Sequence, residues 1–228
     1  MSPPSDQSPA AKPIVHENHP LTLIGGADLN GIVLNICLSQ APITVAVDGG
    51  ADQCLASGMS PLAVIGDLDS ISDRARSAYA KILHQITDQD TTDFEKAVLS
   101  VSAPLILAVG FLGGRIDHQI AILNAMWRHR TSHVVLVGTD DVVCLVDHAV
   151  TLPLPVGQRI ALLPMAATRV TTKGLVWDLN DTELSPTGTI SSSNAVHEPI
   201  VEITPAGPVF LTLPLSALDV VTDAVRAR

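Results

Sequence analysis

The sequence lacks the features that mark membrane and secreted proteins. Its apolar runs are short and interrupted by Asp, Gly or Pro, so none reaches the roughly 20 residues of a transmembrane helix. The first 20 residues show no cationic start followed by an apolar core, so we expect no signal peptide. Only three cysteines occur, Cys37, Cys54 and Cys144, and they form no C-x-x-C pair or Cys/His ligand set. We therefore predict a soluble protein of a reducing compartment, the cytoplasm, that does not bind membranes.

Basic residues are also scarce. The 13 Lys and Arg are outnumbered by 23 Asp and Glu, which gives a formal net charge of −10, and no segment gathers the basic residues into an extended patch. Such a chain would be repelled by a nucleic-acid backbone, so we expect no nucleic-acid partner. The acidic excess fits either plain solubility or a site for divalent cations, and composition alone does not separate the two.

The hydrophobic pattern divides the chain into three parts. Residues 1–20, rich in Ser, Pro and polar side chains, are predicted to be a disordered lead-in. Residues 21–141 alternate short apolar runs with helical patterns, which is typical of a parallel-sheet α/β (Rossmann-like) domain. Residues 142–228 have short alternating segments separated by Pro and Gly and predict a smaller all-β domain with a C-terminal tail, helical from about residue 216. A turn signal at 205–207 predicts that the last two strands form a hairpin.

Polar and glycine residues follow the predicted strands of the α/β part. We expect strands in LTLIGG, ITVAVDGG, LAVIGD, LILAVG and HVVLVG, with a weaker one near His84–Thr87. Asp48, Asp67 and Gly110 come directly after three of these runs. In open parallel sheets, ligands bind at the carboxyl ends of the strands, so these positions predict a functional site.

The segment IGDLDS places Asp67 and Asp69 on either side of one residue. In an extended chain, the side chains at i and i+2 point the same way, so two carboxylates would repel each other there. A hard cation such as Mg²⁺ would relieve that repulsion and leave coordination positions open for phosphate oxygens. The alternative is that one aspartate caps the following helix and the other is solvated.

The segment TDQDTTDFEKAV begins a helix and is rich in carboxylates. Thr92 and Glu95 form a T-x-x-E capping box, and we expect Thr92 or Asp93 to cap the helix. Asp88 and Asp90 precede the helix, and with Asp93 they give three carboxylates, more than one helix cap requires. Asp90 is therefore the best candidate for a third metal or substrate ligand.

The segment GFLGGRIDH is a glycine-rich turn that leads into a second helix, from about Asp117 to Arg130. Glycines there let backbone amides approach phosphates, the helix N-terminus adds partial positive charge, and Arg115 offers a planar fork for phosphate oxygens. The spacing matches neither the Walker pattern nor the dinucleotide fingerprint, so a tight turn is the alternative. The segment DGGAD, from Asp48 to Asp52, is a similar turn after a strand.

Taken together and in order, DGGAD, IGDLDS, DQDTTDFEKAV and GFLGGRIDH resemble the thiamine pyrophosphokinase family, also called thiamine diphosphokinases. The resemblance continues into the β half at GLVWDL (174–179) and SSSNAV (191–196). It implies Mg²⁺-dependent transfer of a pyrophosphoryl group from ATP, the co-substrate, to the hydroxyl of thiamine, with release of AMP. It also implies an α/β domain followed by a β-sandwich, and a homodimer whose active sites lie between one subunit's α/β domain and the other's β domain.

The resemblance also implies roles for individual residues. Asp67, Asp69 and Asp90 would hold the metal and the polyphosphate, with Gln89 near the substrate. The nucleotide side would be lined by Asp48, Gly49, Gly50, Thr92, Arg115 and Asp117. Trp177 would stack on the cationic thiamine ring, and Ser193 and Asn194 would supply polar contacts to it. The alternative for Trp177 is a core tryptophan. Position 176 is Val in this chain, where Lys is frequent in the family.

Two other functions remain open at the level of sequence. A pyrophosphokinase for another alcohol, such as a pterin, would keep the aspartates without needing Trp177. A non-catalytic thiamine or nucleotide sensor would keep the pocket without turnover.

Overall fold

A computed structural model of the chain describes residues 13–227, and within that range it has sixteen strands and six α-helices. The strands are β1 (Val15–His16), β2 (Leu21–Ile24), β3 (Ile43–Val47), β4 (Val64–Gly66), β5 (Leu83–Gln85), β6 (Val101–Ser102), β7 (Ile106–Val109), β8 (Val134–Val137), β9 (Asp141–Val146), β10 (Val150–Pro153), β11 (Arg159–Leu163), β12 (Thr168–Lys173), β13 (Thr182–Leu184), β14 (Ser191–Ala195), β15 (Ile200–Pro205) and β16 (Val209–Pro214). The helices are α1 (Gly31–Gln40), α2 (Gly50–Ala56), α3 (Asp73–Ala78), α4 (Asp93–Ser100), α5 (Ile116–Arg128) and α6 (Leu218–Arg226).

Ten strands form one sheet, in the order β14-β11-β16-β9-β8-β7-β2-β3-β4-β5. The six strands from β8 to β5 are all parallel, and the pairing becomes antiparallel from β8 to β9 onward. Every residue of β2, β7 and β8 is buried, as expected for strands covered on both faces. The mixed α/β fold predicted from the sequence is therefore present, with all six expected parallel strands.

A second, four-stranded antiparallel sheet has the order β10-β15-β12-β13. Its buried residues Leu152 and Ile203 belong to the same hydrophobic cluster as Ile160 and Leu211 of the large sheet. The predicted domain boundary at residues 141 and 142 falls within β9, which pairs with β8 on one side and β16 on the other. The large sheet therefore runs without a break across that boundary.

The predicted hairpin of the last two strands is wrong. β15 pairs with β10 and β12 in the small sheet, whereas β16 pairs with β9 and β11 in the large one. The burial patterns give the reason. β15 alternates buried and exposed residues, as a strand with one solvated face does, whereas β16 is buried on both faces from Val209 to Leu213. The turn at 205–207 therefore carries the chain from one sheet to the other.

The predicted disorder of the lead-in does not extend to β1. Residues 1–12 lie outside the described residues, but Val15–His16 pairs in parallel with Val101–Ser102, directly after α4. The N–H of Ile14 donates to the carbonyl of Ser100 at 2.8 Å, and Val15 is buried. These backbone hydrogen bonds and the burial of Val15 give residues 14–16 a defined structure despite the polar composition of the segment.

The C-terminal helix predicted from about residue 216 is present as α6, which packs against β8, β9 and β10. Between residues 13 and 227, no helix has both the length and the apolar character that a membrane span requires.

The strand order reverses at β2. The chain runs from β2 through β3 and β4 to β5 on one side, and then returns to form β7 on the other side of β2. The loops that leave β2, β3 and β7 therefore diverge and open a crevice at the carboxyl ends of the strands. Glycines allow these loops to touch: a Cβ on Gly25 would lie 2.3 Å from the Gly110 carbonyl oxygen, and one on Gly50 would lie 1.9 Å from that of Ile24.

Candidate active site

A cleft of about 760 Å³ opens at this crevice. Its walls come from strand exits and from the first turns of α4 and α5. The strand exits contribute Gly26 after β2, Asp48 and Gly49 after β3, Ser70 after β4, and Gly110 and Phe111 after β7. The volume lies within the range of small-molecule sites, roughly 300 to 1,000 Å³.

Three carboxylates meet beside the cleft. Asp48 follows β3, Asp67 follows β4 and Asp93 begins α4, and one oxygen of each lies within 4.8 Å of the others. Among the residues that the structure describes, this is the one group of three or more Asp, Glu, His or Cys side chains close enough to share a metal ion. Three carboxylate oxygens at this spacing fit a hard divalent cation.

Two residues at the cluster have unusual backbone conformations. Asp48 and Leu68 both have positive φ angles, of 44° and 65°, which non-glycine residues rarely adopt. Such conformations cost on the order of 1–3 kcal/mol each and occur often at functional sites. A Cβ on Gly66 would lie 3.0 Å from the Asp48 side chain, so the absence of a side chain there lets the two loops approach.

Hydrogen bonds fix the geometry of the cluster. The Asp93 Oδ1 atom accepts from the Asp67 backbone N–H at 3.0 Å and from the Lys96 ammonium at 3.0 Å. The same ammonium lies 3.5 Å from the Asp67 Oδ2 atom, and the Lys96 side chain is only 3% exposed. Asp48 accepts more weakly from the N–H of Ser70 at 3.4 Å. The cluster therefore contains three carboxylates and one buried cation.

The electrostatics of the cluster favour a cation. Burial raises the pKa of Asp48, and the nearby charge of Asp93 adds to this, while the backbone N–H of Gly49 acts in the opposite direction. Burial alone would lower the pKa of Lys96, but the hydrogen bond and charge of Asp93, with those of Asp67, outweigh it and raise that pKa. One ammonium does not balance three carboxylates, so a divalent cation would relieve the excess negative charge.

The structure brings Asp67 into the cluster, but not Asp69 or Asp90. The left-handed turn at Leu68 breaks the extended geometry on which the prediction for Asp67 and Asp69 depended. Asp69 is exposed, and its carboxylate accepts from the Ser70 hydroxyl at 2.8 Å. Asp90 lies in the exposed segment before α4, where its N–H donates to Asp88 at 3.2 Å.

Sequence reasoning did not assign Asp93 or Lys96 to the site. Asp93 was a candidate helix cap, but Thr92 fills that place, since its hydroxyl accepts from the Glu95 N–H at 3.2 Å. A signal for Lys96 was present, because it lies three residues after Asp93 on a helix that also carries apolar residues. A lysine buried on such a helix requires an anionic partner.

The residues predicted for the nucleotide side divide into two groups. Asp48, Gly49, Thr92 and Arg115 line the cleft. The other two do not line it: Gly50 is buried at the start of α2, and Asp117 is exposed and forms an ion pair with Arg115. Gln89, predicted near the substrate, is also exposed outside the cleft, and its amide donates to the Thr87 carbonyl at 3.2 Å.

Trp177 is not a core residue, since its exposure is 63%. Asn194 is buried and holds the backbone of Trp177 from both sides: its Oδ1 atom accepts from the Trp177 N–H at 3.1 Å and its Nδ2 atom donates to the Trp177 carbonyl at 2.7 Å. Asp178 accepts from the N–H of Leu175 at 3.0 Å and so fixes the same loop. Ser193 is exposed on β14. None of the predicted thiamine contacts, Trp177, Ser193 and Asn194, lines the cleft of its own chain.

Two family profiles match the chain. The profile described as "Thiamin pyrophosphokinase, catalytic domain" matches residues 34–137, and the one described as "Thiamin pyrophosphokinase, vitamin B1 binding domain" matches residues 147–210. Among curated proteins, thiamine pyrophosphokinase 1 of Oryza sativa subsp. japonica is 30% identical over 93% of this chain and 90% of its own length. Thiamine pyrophosphokinase 1 of Arabidopsis thaliana is 30% identical over 70% of this chain and 73% of its own length.

Solved structures show the same fold at lower sequence identity. A thiamin pyrophosphokinase from Candida albicans superposes with a TM-score of 0.75 at 17% identity, and the match covers 94% of this chain and 95% of that one. A thiamin pyrophosphokinase from Geobacillus thermodenitrificans gives a TM-score of 0.72 at 18% identity, with 86% and 97% covered. These matches extend over both the parallel and the antiparallel halves of the chain.

Proposed function

Because the chain belongs to the thiamin pyrophosphokinase family, we propose that it transfers a pyrophosphoryl group from ATP to the hydroxyl of thiamine, giving thiamine diphosphate and AMP. The observation that carries this proposal is the carboxylate cluster of Asp48, Asp67 and Asp93, which lies beside the cleft at the carboxyl ends of the parallel strands. The fold is matched along most of its length. Such a cluster is suited to phosphoryl transfer, where the protein mainly positions the reactants and neutralises charge.

We propose that Asp48, Asp67 and Asp93 hold a magnesium ion. Their oxygens are the ligand type that Mg²⁺ prefers, and the cluster has the negative charge to bind it. When bound there, the ion would neutralise charge on the polyphosphate of ATP. Asp69 and Asp90 remain predicted ligands, since both lie in loops next to the cluster.

The walls of the cleft suit a polyphosphate. Gly26, Gly49 and Gly113 expose backbone there without side chains, and Arg115 lines the same cleft at the start of α5. Arginine can grip two phosphate oxygens at once, and helix N-termini favour anions. In the proposed reaction, the thiamine hydroxyl oxygen attacks the β-phosphorus and its proton passes to water. The bond from that phosphorus to the oxygen bridging to the α-phosphate breaks, so that AMP leaves with that oxygen.

We propose that Trp177 stacks on the thiazolium ring of thiamine. Its side chain is exposed on a loop whose backbone is fixed by Asn194 and Asp178, so the backbone of the loop would lose little conformational entropy when thiamine binds. The positive charge of the thiazolium suits the face of an indole ring. In this proposal, Ser193, exposed on β14, would add a polar contact to thiamine, and Asn194 would act through its hydrogen bonds to the backbone of Trp177.

We also propose that the enzyme is a homodimer in which Trp177 of one subunit faces the cleft of the other. Trp177 does not line the cleft of its own chain. It lies among exposed apolar residues, with Val176 48% and Ile200 46% exposed, and α5 exposes Ile116 and Ile120 beside the cleft. Apolar surfaces of this kind are typical of protein interfaces, and pairing two copies would cover both.

We propose that the chain is organised as an α/β part for nucleotide and metal, residues 21–141, and a β-sandwich part for thiamine, residues 142–228. The two antiparallel layers that share one hydrophobic cluster support the sandwich.

A cytoplasmic location remains a prediction. It is compatible with the thiols of Cys37 and Cys54, since burial raises the pKa of each to about 12 and makes them unreactive.

The activity is tested by supplying the purified protein with ATP and Mg²⁺ and measuring AMP release with thiamine or a hydroxymethyl pterin as acceptor. We expect AMP and thiamine diphosphate with thiamine only. AMP formation with the pterin alone would identify a different pyrophosphokinase. Binding of thiamine without AMP would identify a sensor.

A further inference from the structure

The first turn of α4 carries two residues of the carboxylate cluster. Asp93 is one of the three carboxylates, and Lys96 is the buried cation that pairs with them. Between them, Phe94 is buried and packs edge-on against Phe111, with the ring centroids 5.0 Å apart and the planes at 69°. This contact attaches the turn to the loop after β7. Glu95 is the remaining residue of the turn.

Glu95 is a buried carboxylate that has no part in the proposed reaction. The residue is 4% exposed. Its Oε1 atom lies 2.8 Å from the Nη1 atom of Arg128 and 2.7 Å from the Nε2 atom of His129. Both partners lie at the C-terminal end of α5, far along the chain from α4. A carboxylate this buried is stable only when it is paired and hydrogen-bonded.

Helix capping does not explain the burial of Glu95. In a full capping box, its side chain would reach back to the N–H of Thr92. The structure contains the other half of the box, in which the Thr92 hydroxyl accepts from the Glu95 N–H at 3.2 Å. The Glu95 Oε1 atom instead contacts α5, so the ion pair joins two helices.

We propose that Glu95 is a positioning residue for the carboxylate cluster. By binding the end of α5, it fixes the first turn of α4, so that Asp93 and Lys96 are held against Asp67. The proposal rests on the function proposed above, in which the cluster binds a divalent cation. Since the side-chain partners of Glu95 are Arg128 and His129, it would act on Asp93 through the backbone of the helical turn that contains both residues.

The same contact also sets the relative position of the two helices that begin at the cleft. α4 contributes Thr92 and Asp93 to the cleft wall, and α5 begins there with Arg115 and His118 close by. Loss of the contact would let the first turn of α4 shift and would loosen the hydrogen bonds that Asp93 accepts from Asp67 and Lys96. The loop that carries Trp177 has its own bonds to Asn194 and Asp178 and would be unaffected.

The proposal is tested by Mn²⁺ binding to the full chain without ATP, followed through the paramagnetic resonance signal of free Mn²⁺. Glu95→Met keeps the length of the side chain and the helix propensity but removes the acceptor oxygens. We expect it to weaken Mn²⁺ binding about tenfold, as loss of an orienting partner does at other metal sites. Glu95→Gln keeps an acceptor for Arg128 and His129, so it should recover most of the binding.

The matched control is Glu202→Met, which removes an exposed glutamate that pairs with Lys173 at 3.8 Å on the small sheet. We expect its Mn²⁺ affinity to equal that of the wild type. In assays of turnover, Glu95→Met should lower kcat and leave the KM for thiamine unchanged.

Wild-type Mn²⁺ affinity in a folded Glu95→Met variant would overturn the proposal, as would Glu95→Gln binding no better than Glu95→Met. If Glu95→Met does not fold, Arg128→Met decides instead, because Arg128 is half-exposed and supplies one of the two contacts that the Glu95 Oε1 atom makes with the end of α5. Weakened Mn²⁺ binding in that variant supports the positioning role, and unchanged binding contradicts it.

Asp93→Asn separates the two proposals: if it leaves Mn²⁺ binding intact, the ion is not at the cluster and the proposed metal role fails.

Discussion

Asp93 connects the parts of the candidate site that come from distant positions in the sequence. Its carboxylate accepts from the backbone of Asp67 and from Lys96, and it lies within coordination range of Asp48. Each of these residues follows a different strand or belongs to α4. The site therefore depends on one side chain that both carries charge and orders its neighbours.

We predict that Asp93→Asn lowers kcat by about a hundredfold or more while the protein stays folded. The amide keeps the size and an acceptor oxygen but removes the charge that neutralises a bound cation, an effect of several kcal/mol. Steady-state assays and thermal unfolding of the same preparation measure the two effects. Asp73→Asn, an exposed aspartate at the start of α3, is the control and should behave as the wild type. An active Asp93→Asn enzyme would contradict the assignment.

We predict that Trp177→Ala raises the KM for thiamine roughly tenfold, because stacking on a cationic ring is lost. The kcat and the KM for ATP should change little, since Trp177 lies outside the cleft that carries the carboxylates. Trp127→Phe, a half-buried residue of α5, controls for general effects of removing an indole. An unchanged thiamine KM would rule out stacking.

The sequence predicted where the site lies better than which residues form it. Asp48 and Asp67 could be found because parallel strands bring their carboxyl ends to one edge. Asp69 stays a predicted ligand that lies outside the cluster of Asp48, Asp67 and Asp93, because the left-handed conformation of Leu68 is not visible in the sequence. Asp93 was missed because an aspartate at a helix start has a common structural explanation as a cap. Such local geometry depends on backbone conformations that hydrophobic patterns do not specify.

At the scale of elements, α4 is held at both ends. Its first turn carries the site residues and Glu95, and its last residue, Ser100, accepts a backbone hydrogen bond from Ile14 next to β1. The segment before β2 therefore supports the helix that supplies Asp93, although its composition is typical of disorder.

We predict that Val15→Asp lowers the free energy of unfolding by about 2–4 kcal/mol, because it places an unpaired charge at a buried position of β1. Urea unfolding measures the change. Ile14→Asp is the matched control, since Ile14 is adjacent but 38% exposed and should lose much less. Equal effects of the two substitutions would show that the burial of Val15 is not important for stability.

The wrong prediction of a hairpin between the last two strands has a physical origin. The segments on either side of the predicted turn at 205–207, IVEITP and VFLTLP, are the strands β15 and β16. Their periodicities differ, however: the first alternates, as a strand with one solvated face does, and the second is apolar almost throughout. That difference is typical of strands from two different sheets, so the amino-acid pattern itself argues against the hairpin.

At the scale of the whole molecule, the cleft and Trp177 must come together for the proposed reaction. Within one chain they do not, so we predict that an equal mixture of Asp93→Asn and Trp177→Ala subunits, dissociated and reassociated, is more active than either variant alone when thiamine is supplied well below its wild-type KM. Only mixed dimers contain a site with both residues intact, which gives about a quarter of the wild-type number of sites under random pairing. Activity at the mean of the two separate variants would place each complete site within a single subunit.

The uninterrupted ten-stranded sheet bears on how the chain can be divided. A fragment ending at residue 141 would keep β8 but lose β9, its partner, together with α6, which covers that region. The exposed edge would present a row of unsatisfied amides and carbonyls between apolar side chains, and such edges recruit other chains. A fragment ending at residue 141 should therefore precipitate or self-associate, even though it contains the whole segment matched by the catalytic-domain profile.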